Sequence, residues 1–142
     1  MEEPQNHSQI NQILEQAFNL ALQKEHEYVT LEHLTLILLE TREIGELLKL
    51  MNISAKEIAE ELEKFLKGQD YLIVAGLTRP RKTQTLERAF NRAFTQAIFN
   101  GRGQIAYQDM LLSILSEKNS HACYYLTRSE EHTSELQSHH DL

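Results

Sequence analysis

Apolar positions recur at three-to-four spacing from Ile10 onward. Ile10, Ile13, Leu14, Ala17, Phe18, Ala21 and Leu22 share one face, which predicts an amphipathic helix with Ser8 as its N-cap. The next run, "VTLEHLTLILLE" at 29–40, begins with Thr30 as a candidate N-cap and puts Glu32 in the first turn, where the helix dipole favours an anion. Leu31, Leu34, Ile37 and Leu38 make this helix apolar on most sides, so it should be buried and central. A short helix is expected over Glu43–Leu50. In "NISAKEIAEELEKFLKG", Ser54 and Glu57 have capping-box spacing, Ile58, Leu62, Phe65 and Leu66 form the stripe, and Gly68 marks the stop. Residues 68–83 then lose the helical period. With Pro80 and the close cations Arg79, Arg81 and Lys82, they read as a linker containing a short extended piece at Tyr71–Val74.

After the linker the first pattern returns. "LEQAFNLA" (14–21) matches "LERAFNRA" (86–93), with Leu, Glu, Ala, Phe, Asn and Ala in register. "VTLEHLTLILLE" matches "IAYQDMLLSILS" (105–116) in apolar pattern, and "IGELLKL" (44–50) resembles "HACYYLT" (121–127). This is an internal repeat. It implies an all-α fold of two pseudo-repeated four-helix units, repeat one at 8–67, linker at 68–83 and repeat two at 84–127. The second unit lacks its last helix, because "RSEEHTSELQSHHDL" (128–142) stands where that helix is due and has no apolar stripe. Without it, Met110, Leu111 and Ile114 should be left partly uncovered.

Composition narrows the function classes. The chain of 142 residues is 41% hydrophobic and 25% charged, which suits one globular domain. Its net charge of −7 argues against nonspecific nucleic-acid binding. No apolar run is long enough for a membrane span and no signal peptide opens the chain, so a cytoplasmic location is expected. A single cysteine, Cys123, fits a reducing compartment and reads as a buried helix residue. Three of the seven histidines, His132, His139 and His140, crowd into the last fifteen residues, but they lack the cysteines and helical spacing of a zinc site. That segment resembles the in-frame translation of a common short-read sequencing adapter, so 128–142 is expected to be a non-native tail.

The double repeat, "VTLEHL" in the second helix, and "TLERAFNRAF", "NGRGQ" and "SHACYYLTR" in the second unit together resemble the N-terminal domain of Clp ATPases, in particular the ClpA-like branch, over residues 9–127. The resemblance implies a recognition domain that docks a ClpS-type adaptor and protein substrates. It places ATP and Mg, and the contact to the ClpP protease, in downstream AAA+ ATPase modules. No G-x-x-x-x-G-K-[ST] loop occurs in this chain, so no catalytic residue and no cofactor or metal is assigned to it. By resemblance the adaptor-facing residues are His26, Glu27, Glu32, Thr83 and Arg88. From the residues alone, Glu32 is equally a dipole-favoured acid, His26 and Glu27 a solvated helix end, Thr83 an N-cap and Arg88 a surface cation. Gln108 stands where the second unit would repeat Glu32. The alternative is a stand-alone helical regulator that binds another protein.

Overall fold

Local capping chemistry sets the element boundaries. In the computed structural model, which describes residues 4–69, 74–76 and 78–128 and side chains from residue 9, seven helices and two very short strands follow one another. They are α1 (Pro4–Gln23), β1 (Tyr28–Val29), α2 (Leu31–Leu39), α3 (Arg42–Leu50), α4 (Ala55–Lys67), β2 (Arg81–Lys82), α5 (Gln84–Phe99), α6 (Tyr107–Leu115) and α7 (121–128). Side-chain oxygens of Thr30, Thr41, Ser54 and Thr83 cap α2, α3, α4 and α5. The helix expected to start at Ser8 instead runs from Pro4, a residue suited to a first turn because its missing N–H has no partner to lose there. The Ser54–Glu57 pair caps in one direction only: the Glu57 N–H donates to Ser54 Oγ at 3.2 Å.

The repeat is visible in the caps. α1 and α5 both end with the N–H of the last turn reaching back five residues, His26 to the Ala21 carbonyl and Arg102 to the Ala97 carbonyl. A left-handed residue precedes each, Glu25 at φ 58° and Gly101 at φ 78°. The backbone N–H groups that open α2 and α6 are each held by the third helical residue. Thr30 N–H donates to His33 Nδ1 at 2.9 Å, and Ala106 N–H to an Asp109 carboxylate oxygen at 2.8 Å. Thr41 and Ser120 repeat a double role: each hydroxyl accepts from the N–H three residues on and donates back to a carbonyl at 2.8 Å. That match shifts the third pair of helices. Thr41 corresponds to Ser120, two residues away from the register that pairs "IGELLKL" with "HACYYLT". The connection from α6 to α7 is three residues longer than that from α2 to α3, and sequence similarity alone could not place those residues.

α2 is the centre, with all nine residues buried. α1 and α4 pack on it from repeat one and α6 from repeat two, so one core runs from Ile10 through Leu38, Leu62 and Leu86 to Leu126. Met110, Leu111 and Ile114 are buried, contrary to expectation, because α6 turns that stripe toward α5, α2 and α3. The exposed position is Leu112, at 54%. Its counterpart Leu36 is 5% exposed and lies beside Ala59 of α4, the helix that has no counterpart among the described residues of repeat two.

The linker is anchored. Val74 N–H donates to the Glu25 carbonyl, Arg81 N–H to the Glu27 carbonyl and Thr83 N–H to the Val29 carbonyl, at 2.8 to 3.2 Å. β1 and β2 thereby pair in parallel, Tyr28 with Arg81 and Val29 with Lys82. Of the extended piece expected at Tyr71–Val74, residues 71–73 lie outside the described residues, as do 129–142 and the tail histidines. Arg128 is described and extends α7 by one residue past the boundary expected at 127.

Candidate functional site

Three helices present their N-terminal ends to one cleft of about 410 Å³, lined by Thr30 and Glu32 of α2, Thr83, Thr85 and Arg88 at the start of α5, and Glu117, Ser120 and His121 before and within α7. The β1–β2 pairing carries the linker past Glu27 and Val29 and delivers Thr83 beside Thr30. A smaller adjoining hollow of about 280 Å³ adds Tyr28, Phe65 and Gln69, and the His121 ring stacks on Phe65 at 4.0 Å.

Glu32 is buried, and its Oε2 accepts the Ala122 N–H at 3.0 Å. It thus caps α7 from ninety residues away, joining the two repeats through a charge-assisted bond at a positive helix end. Thr83 is the N-cap of α5 and accepts the Leu86 N–H at 3.1 Å. Arg88 makes a two-pronged contact with Glu117, Nε to Oε2 at 3.0 Å and Nη2 to Oε1 at 2.8 Å, and Arg92 adds a bond to the same carboxylate at 2.6 Å. Arg92 also donates to the Ser113 carbonyl at 3.0 Å. The Arg88 hydrogen bond, reinforced by Arg92, holds the Glu117 carboxyl down at about 2 against the cost of burial, and the same contact raises the Arg88 guanidinium. The Arg88 side chain remains 56% exposed, so the clamp fixes the guanidinium through Nε and Nη2 while the side chain stays open to solvent.

His26 and Glu27 do not line this cleft. The end of α1 is not a solvated turn: His26 is 3% exposed, and its Nδ1 lies 3.0 Å from His33 Nε2. Because the Thr30 N–H donates to His33 Nδ1, the His33 proton sits on Nε2 and is donated to His26. Burial pushes the His33 imidazole down to about 3, and burial and Lys24 lower His26 as well. The corresponding residues of repeat two, Arg102 and Asp109, form an ion pair in the same place. Repeat one thus uses a neutral histidine pair where repeat two uses opposite charges. Glu27 contributes its backbone carbonyl to β2. Among the described residues no three His, Cys, Asp or Glu groups gather as a metal site. Cys123 is buried, its Sγ 3.4 Å from the Leu115 carbonyl, and burial raises its thiol; His121 faces Phe65 and not this sulfur.

Sequence reasoning missed Glu117, Arg92 and Ser120. The one available signal was the extra length between α6 and α7, the loop that holds Glu117.

Residues 7–129 match the family described as the Clp repeat (R) N-terminal domain. The chain belongs to this family. Over 137 residues it is 26% identical to the "ClpA homolog protein" of Fuscovulum blasticum, covering 90% of this chain but 17% of that protein's length. Among solved structures, this Clp domain is similar to the N-terminal domain (1–163) of ClpV1 ATPase from the E. coli EAEC Sci1 type VI secretion system. That likeness has 25% identity and a TM-score of 0.71, and covers 89% of this chain and 78% of that one. It is also similar to a chain in the structure named "Peptide from EAEC T6SS Sci1 SciI protein", at 26% identity and a TM-score of 0.71, covering 89% and 81% of the two chains. Among the described residues of this Clp domain no helix is long and apolar enough to cross a membrane.

Proposed function

We propose that this Clp domain is the adaptor- and substrate-docking part of a ClpA-like ATP-dependent unfoldase acting in regulated proteolysis in the cytoplasm, with the α2–α5–α7 cleft as the adaptor surface. Downstream modules would supply ATP and Mg chemistry and the contact to ClpP. The observation that carries the reading is convergence. Glu32 of repeat one and Thr83 and Arg88 at the start of repeat two, all singled out by family resemblance, line one cleft. Its chemistry suits a polar partner surface: Arg88, held through Nε and Nη2 by Glu117, leaves Nη1 as a donor for a partner carboxylate, and the Thr83 and Ser120 hydroxyls line the same cleft.

The test is calorimetric titration of a purified ClpS-type adaptor into the 142-residue chain. Wild type should bind, and Arg88→Ala should weaken binding by about tenfold or more, the scale of an interface hot spot. Arg92 keeps Glu117 paired in that variant, so its fold should be retained. No binding to wild type, or equal binding to the variant, overturns the assignment. A second reading has its own support in the ClpV1 likeness. If a peptide of a secretion-apparatus protein titrates the chain and the adaptor does not, the domain serves a ClpV-like ATPase.

A further inference from the structure

Charge is distributed unequally between the two repeats. Residues 8–67 hold eleven acids and six cations, a net −5, whereas residues 68–128 hold four acids and eight cations, a net +4. α2 joins the two poles. Its N-terminal end lies in the adaptor cleft. Its C-cap Glu40, about 14 Å away along the helix axis, lies with Glu60, Glu61 and Glu63 of α4, among which stand Lys56 and Lys64. The dipoles of α2, α5 and α7, whose N-termini converge on the cleft, have the same sense, positive at the cleft.

Pairing separates the structural charges from the free ones. Glu32 and Glu117, the carboxylates that line the cleft, are engaged within the protein, on the Ala122 N–H and on Arg88 with Arg92. Arg79 is paired with Glu15 and Arg102 with Asp109. Arg81, Lys82 and Lys118 are exposed and have no ion-pair partner among the described residues. They stand at the rim of the cleft. Arg81 and Lys82 directly precede Thr83, and Lys118 lies between Glu117 and Asn119, all three of which line it. Glu87 is the one exposed acid among the described residues between 74 and 128, and it faces α1 and not the cleft. On the far pole, Glu43, Glu57 and Glu60 of α3 and α4 are exposed and have no ion-pair partner among the described residues.

A rim of free cations around a cleft whose own acids are internally neutralised, with an acidic pole behind it, attracts and orients an anionic surface. We propose, resting on the adaptor reading above, that Arg81, Lys82 and Lys118 steer an acidic face of the adaptor protein onto the α2–α5–α7 cleft, while the pole at Glu43, Glu57 and Glu60 turns that face away from α3 and α4. The rim then governs the rate of encounter, and Arg88 governs the lifetime of the complex. A protein is favoured over a nucleic acid because three free cations in a chain of net charge −7 are too few for the phosphate neutralisation on which nucleic-acid binding relies.

Stopped-flow mixing of the 142-residue chain with a purified ClpS-type adaptor tests it. Raising the ionic strength from about 0.03 M to about 0.3 M should slow association about tenfold and change dissociation less than about twofold. Arg81→Glu combined with Lys118→Glu should slow association about tenfold at the lower salt and flatten its salt dependence. The melting temperature should not move, since both side chains are exposed. The conservative pair, Arg81→Lys with Lys118→Arg, should associate like wild type, and Glu60→Lys on the opposite pole should not slow association. Arg88→Ala should instead speed dissociation. The proposal is overturned, with the adaptor reading intact, if the adaptor binds at a rate that neither salt nor the double charge reversal moves. It is equally overturned if a DNA oligonucleotide displaces the adaptor at physiological salt, or if sedimentation at low salt shows the chain associating with itself pole to pole and the double reversal abolishes that association. Absence of adaptor binding at either salt overturns both.

Discussion

Acid should destabilise this domain well above the range in which its carboxylates protonate, and the His26–His33 pair is the reason. The folded state holds both rings neutral: His33 is fully buried, its Nδ1 takes a backbone N–H and its own proton goes to His26. A second proton on His33 would have to face the Thr30 N–H, and Lys24, itself paired with Glu63 at 3.0 Å, adds positive charge nearby. The folded value of about 3 lies below the ordinary 6.5, so the unfolded chain binds the proton first. Stability is therefore level above pH 6.5 and falls as pH drops toward 3. Between pH 7.5 and 5.0 this ring alone should remove about 2 kcal/mol, with His26 adding in the same direction. That is a large share of a typical stability and corresponds to a melting temperature lower by roughly 5 °C. Urea titrations at pH 7.5, 6.5, 5.5 and 5.0 would read it, and above pH 5 the Glu117 carboxylate does not interfere. His33→Asp sharpens the test, since it rebuilds the arrangement of repeat two. The introduced carboxylate would accept the Thr30 N–H, and His26 would gain an anionic partner. The sign should invert: the His26 contribution is then present below 6.5 and lost as pH rises through its elevated value. A flat wild-type profile, or a variant that keeps the acid loss, would refute the reasoning.

Further expectations follow from the same contacts. Glu117→Gln should cost about 1–3 kcal/mol in urea unfolding at pH 7, since it weakens three charge-assisted bonds. Wild type, but not this variant, should lose that increment as pH falls from 4.5 toward 2. Glu32→Ala should cost about 1–2 kcal/mol because the α7 N–H loses its acceptor, with Glu32→Gln costing less; hydrogen exchange at Ala122 would show the opened helix end. Met110→Ala should cost about 2–5 kcal/mol, whereas Leu112→Glu should stay within about 0.5 kcal/mol in thermal unfolding.

Much of the fold was legible because it rests on local chemistry. The apolar period of 10–22 and 31–38 and the threonine and serine caps act within a few turns of chain, whereas the 14–21/86–93 match lies one helical turn off the pairing of the helix ends, His26 with Arg102. What escaped was long-range or too short to have a period. β1 and β2 are two residues each, below the length at which alternation is readable. Glu32 looked like an ordinary first-turn acid because its partner at Ala122 is ninety positions away. His26 looked solvated because its burial comes from α2 meeting the end of α1. Leu112 and Ile114 differ by two positions, and only the direction in which α6 turns decides which is exposed.

The most direct test of the docking account is an amide NMR titration of the 142-residue chain with a ClpS-type adaptor. The largest shifts are predicted at Thr30, Glu32, Thr83, Thr85, Arg88 and Ser120, around the α2–α5–α7 cleft. Saturable binding with shifts confined to other faces, or no shifts at all, would contradict it.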